Sequence, residues 1–214
     1  MEKIDSVIFD LDDTLLDRTK TFSLYCDYFI KKYLPKDISN RDKIKIEIIN
    51  FDKNGYENRK IFYDKIIKKW KLKDKITELE NDWMENFNKF VVPEENMIEV
   101  LEYLKKYYKL GIITNGSSIM QNNKINSLRI RNYFKDIIIS EDIGLKKPDK
   151  NIFLIACSNL KTIPSHAIYV GDNFNIDILG AINAGLKGIW INKFKQPNDY
   201  ENTIEKIEDL KNKL

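Results

Sequence analysis

The stretch Val7-Ile8-Phe9-Asp10-Leu11-Asp12-Asp13-Thr14-Leu15 decides how the rest of the chain is read. Three apolar residues with strand preference run straight into an acidic cluster. That is the pattern of a buried parallel strand that ends by delivering carboxylates to the top of a sheet, where open α/β sheets place their ligands. Asp10 and Asp12 sit two apart, and the alternation of an extended chain points both side chains to the same side. One could attack while the other moves protons. Taken alone, an Asp-rich run after a strand also reads as a turn or a helix cap, because Asp bonds its own backbone and tolerates unusual dihedrals. Three later stretches favour the first reading.

Working outward, residues 18–90 show no strand-like runs, and their apolar residues recur at helical spacing. Phe22, Tyr25, Cys26, Phe29 and Tyr33 make one face, and Ile76, Leu79, Trp83, Phe87 and Phe90 another. Ile44–Ile49 and Ile61–Trp70 supply two more helices, with breaks at Pro35 and at Asn54-Gly55. Four helices therefore form an all-α insertion, 17–92, whose aromatic stripes are bundle core. From Pro93 onward helix and strand alternate. Met97, Leu101, Leu104 and Tyr108 mark a helix whose end Gly111 follows, and Ile112-Ile113 is a short strand ending at Thr114-Asn115-Gly116. A helix near 118–128 leads to the strand Ile137–Ile139 and then to Gly144-Leu145-Lys146-Lys147-Pro148. A helix from about Asn151, the strand Ala167–Val170, the turn Gly171-Asp172-Asn173, a helix to Gly185 and the strand Ile189–Ile191 follow. Ile204, Ile207, Leu210 and Leu214 in the tail predict a final docking helix. This order implies right-handed βαβ units and a parallel α/β sheet built from 1–16 and 93–214. Strand ends at Asp10/Asp12, Thr114-Asn115-Gly116 and Gly171-Asp172 with Asp177 then converge on one crevice.

Composition bounds the function. At 214 residues the chain buries a full core, and Cys26 and Cys157, its only cysteines, have no metal-like spacing and point to a reducing compartment. The N-terminus, Met1-Glu2-Lys3-Ile4-Asp5, has no apolar leader, and no run approaches bilayer length, so a cytoplasmic protein with no membrane association is expected. A net charge of +3 is too small to imply a nucleic-acid polymer as partner. It is uneven: residues 18–92 hold 18 Lys+Arg against 12 Asp+Glu, so the insertion is basic and the remainder mildly acidic. His166, the only histidine, lies before a strand and offers neither triad nor zinc site.

These residues resemble the haloacid dehalogenase superfamily, in the branch with a helical cap inserted just after the first motif. The match comprises Asp10-x-Asp12-x-Thr14, the hydrophobic strand ending in Thr114, Lys147-Pro148, and Gly171-Asp172 through Asp177, followed by Gly180-Ala181 and Ala184-Gly185. The resemblance implies a Rossmann-like core, 1–16 and 93–214, with the insertion as its cap, and a phosphatase. Within the family, Gly111–Asn192 looks most like the bacterial pyrimidine 5′-nucleotidases, in Ile113–Gly116, Lys146–Phe153 and Asp177–Gly185. Phosphoglycolate phosphatases share most of that pattern.

A phosphomonoester repels an incoming carboxylate, so a divalent cation between them is expected, with Asp10 and Asp172 as ligands; Mg²⁺ suits hard carboxylate oxygens combined with water and phosphate. The resemblance adds the backbone carbonyl of Asp12. Asp10 then attacks phosphorus, giving an aspartyl phosphate that water hydrolyses, while Asp12 protonates the leaving alkoxide and later takes a proton from the water. Thr114 offers a hydroxyl, with capping of a helix as its other reading, and Asn115 and Gly116 can turn backbone N–H groups to phosphate oxygens. Lys147, directly before the proline as the family places it, supplies a positive charge. Asp177 holds the metal site from behind, Asp13 and Asp17 are turn or capping residues, and the Ser117-Ser118 pair caps a helix. The insertion is expected to act as a lid, bringing Arg18, Lys20 or Phe22 close to whatever the phosphate carries.

The function expected is a Mg²⁺-dependent phosphatase of a small phosphorylated metabolite, with a 5′-nucleotidase as the specific candidate, working as a monomer or homodimer. Rivals are a phosphoglycolate or sugar phosphatase, a phosphomutase, and a haloacid dehalogenase, which in this family lacks the second aspartate. From another class comes a phospho-acceptor signalling domain, which is shorter, has no helical insertion and takes the phosphoryl group on a central strand.

Overall fold

A computed structural model describes residues 3–35, 39–73, 75–197 and 199–214. The chain divides into two compact units, Met1–Asp17 with Pro93–Leu214, and Arg18–Val92.

The first unit is α/β. Its strand β1 (Ser6–Phe9) is followed, after the other unit's four helices, α1 (Arg18–Tyr33), α2 (Arg41–Asp52), α3 (Arg59–Trp70) and α4 (Ile76–Asn86), by α5 (Met97–Leu104), β2 (Lys109–Thr114), α6 (Ser118–Leu128), β3 (Asp136–Ile139), α7 (Ser140–Ile143), α8 (Lys150–Asn159), β4 (Ala167–Gly171), α9 (Leu179–Asn183), β5 (Lys187–Ile191), β6 (Thr203–Ile204) and α10 (Leu210–Lys213). The six strands lie in the order β3-β2-β1-β4-β5-β6, every pair parallel, so the Rossmann-like core expected from the sequence is present. Central β1 pairs on both sides, with Phe9 opposite Ile112 and Val170. Buried on both faces, it needs the unbroken apolar run Val7–Phe9 that its sequence provides. One face of the sheet is covered by α8 and α9, through Ile152, Phe153, Ala156 and Ala181 against Ile8, Ile113 and Tyr169. Because the strands are parallel, Phe9, Thr114 and Gly171 all end at the same edge.

Three local structures differ from the sequence expectation. Gly111 lies inside β2, opposite Ile8 and Asp136, and does not close the preceding helix. The turn after Gly171 does not run directly into one helix: a π-helical turn, Phe174–Ile178, precedes the short α9. Asn173 makes that turn, its side chain accepting from the Ile176 N–H at 3.0 Å and its carbonyl from the Asp177 N–H at 2.8 Å. In the tail, Ile204, Ile207 and Leu210 are buried as their spacing implies, but Ile204 belongs to a sixth strand. There the backbone of β5 wins over helical spacing, since the Trp190 N–H bonds the Asn202 carbonyl and the Asn192 N–H that of Ile204.

The second unit is helical, with an aromatic interior in which Trp83 stacks on Phe87 at 4.0 Å and Tyr25 meets Trp83 edge-on at 4.8 Å. Two buried carboxylates tie its helices. Asp52 accepts from Arg18 (2.7 Å), Arg59 (2.5 Å) and the Gly55 N–H (2.7 Å). Asp82 accepts from Tyr25, Tyr28, Lys32 and Asn86. Of the residues expected to meet substrate, Arg18 and Phe22 lie inside this unit. Arg18 is 7% exposed and packs so closely on Gly55 that a Cβ there would come within 2.8 Å of its guanidinium, while Phe22 is 2% exposed among Tyr25, Phe62 and Trp83. The helical spacing that puts Phe22 with Tyr25 and Phe29 is what turns it inward. Lys20 is exposed.

Candidate active site

Asp10 directly follows β1, and its N–H continues the sheet ladder by bonding the Val170 carbonyl at 2.9 Å. Its side chain is buried at the sheet edge, where Oδ1 accepts from Lys147 Nζ at 2.5 Å. Lys147, 3% exposed, also donates to Asp177 Oδ1 at 2.7 Å and to the Tyr169 hydroxyl at 2.8 Å. Tyr169 in turn donates to the Ile113 carbonyl at 3.0 Å. Asp177 is fixed from a second side, its Oδ2 accepting from the Asn173 N–H at 3.0 Å. This packing requires Gly171: a Cβ there would stand 2.6 Å from the Asp177 carboxylate. Asp172 follows β4, with its backbone carbonyl held by Trp190 Nε1 at 2.7 Å.

Asp10, Asp172 and Asp177 each present a carboxylate oxygen within 4.8 Å of the others. Three carboxylates sharing the one ammonium of Lys147 leave an excess of negative charge. Burial first, then the charges of Asp10, Asp177 and Asp13, push the Asp172 carboxyl up to about 9, with Lys147 opposing weakly. Burial likewise outweighs Lys147 at Asp10, which, with Asp177 and Asp12 adding, is pushed up to about 7. Burial opposes the charge on Lys147, yet Asp10 and Asp177 hold it well above the ordinary lysine value. A cluster with this surplus of hard oxygen donors and negative charge fits a divalent cation. The Asp12 carboxylate lies outside the cluster.

The loop after β2 is braced as much as it is open. Asn115 clamps Lys147, its Oδ1 accepting from the Lys147 N–H at 2.9 Å and its Nδ2 donating to the Lys147 carbonyl at 3.0 Å, beside the cis Lys147-Pro148 peptide. The Gly116 N–H, expected to face phosphate, donates to Ser140 Oγ at 3.0 Å. The N-cap of α6 is Ser117, whose Oγ accepts from the Met120 N–H, so Thr114 does not serve as that cap. Thr114, 1% exposed at the end of β2, instead accepts from Gln121 Nε2 at 2.5 Å. Gln121 also donates to Asp12 Oδ2 at 3.0 Å, and Lys124 Nζ lies 2.8 Å from both Asp12 oxygens.

Gln121, Lys124 and Tyr169 were missed by sequence reasoning. Tyr169 reads as one more strand residue. Gln121 and Lys124 stand three apart, hence on one face of α6, and the helix carries few apolar residues for that face. That sparse pattern was the available signal. Asp13 and Asp17 form a second acidic trio with Glu94, where Lys193 pairs with Asp13 and Glu94. Among the described residues no helix is long and apolar enough to cross a membrane.

The family model for haloacid dehalogenase-like hydrolases matches residues 7–191. The glyceraldehyde 3-phosphate phosphatase of Methanothermobacter thermautotrophicus is 32% identical over 195 residues, covering 87% of this chain and 85% of that protein. The pyrimidine 5′-nucleotidase YjjG of Escherichia coli is 39% identical over 101 residues, 47% of this chain and 45% of that one. The magnesium-bound crystal structure of the putative hydrolase YfnB from Bacillus subtilis matches the fold with a TM-score of 0.83 at 23% identity, covering 100% of this chain and 99% of that one. With three carboxylates at one sheet edge and this family match from β1 through β5, the chain belongs to the haloacid dehalogenase-like hydrolases, on the side of the family whose members are phosphoric monoester hydrolases.

Proposed function

We propose that the chain is a Mg²⁺-dependent phosphatase of a small phosphorylated metabolite, acting through an aspartyl phosphate on Asp10. The observation that carries this reading is the trio Asp10, Asp172 and Asp177, the first and last buried and Asp172 half-buried, with the ammonium of Lys147 shared between Asp10 and Asp177. Asp10, Asp172 and the Asp12 carbonyl would hold Mg²⁺, which supplies charge neutralisation between the nucleophile and the phosphate. Asp10 is poised at the end of a rigid central strand, and Lys147 fixes one of its oxygens, leaving the other to attack phosphorus. Lys147 and the Thr114 hydroxyl hold the phosphoryl oxygens, and Asn115 acts by fixing the loop that carries Lys147. Asp177 steadies Lys147 from behind. Asp12 gives a proton to the leaving alkoxide and then takes one from the water that cleaves the aspartyl phosphate.

Relatives named for glyceraldehyde 3-phosphate and for pyrimidine nucleotides support a compact phosphate ester as substrate, with a 5′-nucleotide as one choice. The free, buried Cys26 and Cys157 agree with a cytoplasmic enzyme. The helical unit is part of the proposal as a cap, on the strength of its insertion directly after β1. Release of phosphate from nucleotides, sugar phosphates, glyceraldehyde 3-phosphate and phosphoglycolate, with Mg²⁺ and with chelator, tests the whole. Turnover that survives chelation, or an Asp10→Asn variant as active as the parent, would overturn it.

A further inference from the structure

The Asp12 carboxylate is not loosely exposed, as an acid that must reach a leaving group would be if nothing steered it. Both oxygens lie 2.8 Å from Lys124 Nζ, and Oδ2 takes a further bond from Gln121 Nε2 at 3.0 Å. Gln121 is 2% exposed and Lys124 7%, so these are interior polar groups. The orientation of the Gln121 amide is determined by its neighbours: its oxygen accepts from Lys124 at 2.8 Å, and its nitrogen faces Asp12 and Thr114. Turned over, it would set an oxygen against the Asp12 carboxylate and an NH₂ against an ammonium. Because Thr114 Oγ1 accepts from Gln121, the Thr114 proton can be offered to another acceptor. Gly116 makes room for the arrangement: at its φ of 149° a Cβ would stand 3.0 Å from Gln121 Cγ and Cδ.

We propose that Gln121 and Lys124 are positioning residues that aim the Asp12 carboxylate and the Thr114 hydroxyl together, so that proton transfer and phosphoryl binding share one support on α6. The inference rests on Asp12 being the acid and base. Two considerations favour aiming over simple stabilisation. A buried ion pair adds little stability relative to apolar residues of the same size, and Asp12, whose side chain is 22% exposed, could be left to water at small cost. What water cannot supply is a fixed direction, and misplacing a reacting group by about 1 Å can cost about 10²-fold in rate.

The test is the first-turnover release of the phenol from phenyl phosphate and from 4-nitrophenyl phosphate by the Mg²⁺-loaded full chain, in the parent, Lys124→Met, Lys124→Arg, Asp12→Asn and the double variant Asp12→Asn/Lys124→Met. Lys124→Met should slow the poor leaving group by about 10-fold or more and the good one by under about 3-fold, with KM nearly unchanged. Lys124→Arg should recover part of the loss. In the Asp12→Asn background Lys124→Met should cost less than about 2-fold, because the carboxylate Lys124 holds directly is gone while Gln121 still holds Thr114. Equal losses on both esters, or the same loss with and without Asp12, would overturn the proposal. If instead Asp12→Asn itself slows both esters equally, the acid role of Asp12 fails, and this inference with it. Should Lys124→Met not fold, Lys124→Gln removes the same charge while leaving the Gln121–Thr114 bond in place, and carries the same cycle.

Discussion

With no cation beside it, Asp172 is a liability whose size can be worked out. Its carboxyl is raised to about 9, burial first and then the charges of Asp10, Asp177 and Asp13. A raised folded-state value means that the native chain holds a proton the unfolded chain has released. Its contribution to stability is therefore intact below the ordinary value of 3.8 and is lost as pH rises toward about 9. At pH 8 the loss spans about four pH units at about 1.36 kcal/mol each, a ceiling near 6 kcal/mol. Relaxation and water entry leave something of the order of 2–3 kcal/mol. Asp172→Asn, which resembles the protonated acid at every pH, should then melt about 5–10 °C above the parent in chelator at pH 8, at about 2–4 °C per kcal/mol for a chain of this size. At pH 5 the gain should shrink to a quarter or so, since only about one of those pH units remains. Saturating Mg²⁺ should reverse the order, because the parent alone then has its full ligand set. Scanning calorimetry of the two proteins at both pH values, with chelator and with Mg²⁺, reads all of this. A variant no more stable than the parent in chelator at pH 8, or equally favoured at pH 5, would refute the reasoning that an unbalanced carboxylate cluster awaits a cation.

Asp10→Asn keeps shape but removes the nucleophile, so phosphate release should fall by about 10³-fold or more with an unaltered circular dichroism spectrum. Lys147→Met strips the shared ammonium from Asp10 and Asp177, and denaturant titration in chelator at pH 8 should show a loss of about 3–5 kcal/mol, smaller once Mg²⁺ is added. Gly171→Ala places a methyl 2.6 Å from the Asp177 carboxylate, so Asp177 must leave Lys147; a melting temperature within a degree of the parent and full activity would contradict that packing.

The parallel sheet was legible because Val7–Phe9, Ile112-Ile113 and Ala167–Val170 are short apolar runs that read as interior strands, each followed directly by polar residues. Parallel order then does the converging, which is why Asp10, Thr114, Lys147, Asp172 and Asp177 could be put forward as candidates from motifs that lie from about 80 to about 500 Å apart along an extended chain. What could not be read depends on side-chain direction. Gln121 and Lys124 leave only the sparse apolar pattern of α6 as their signal, and Tyr169 hides its hydroxyl inside an apolar strand. Arg18 and Phe22 were placed by chain proximity to Thr14, but helical phase turns both inward. The edge strand Thr203–Ile204 escaped because two residues carry no periodicity, and its pairing with β5 is a property of the backbone.

The base of the insertion has its own implication. Leu16 and Pro93 form an antiparallel bridge, and the Glu94 N–H bonds the Leu15 carbonyl at 3.0 Å. Residues 18–92 thus depart and rejoin at neighbouring points, as a drawer is hung from one frame. Loop-closure cost grows only as the logarithm of length, about 0.6 kcal/mol per doubling, and here the stitch at Leu16–Pro93 bears it locally. The number of residues between the two should therefore weigh little on the sheet, and β1 and β2 should keep their register when the helical cassette is lengthened, shortened or exchanged.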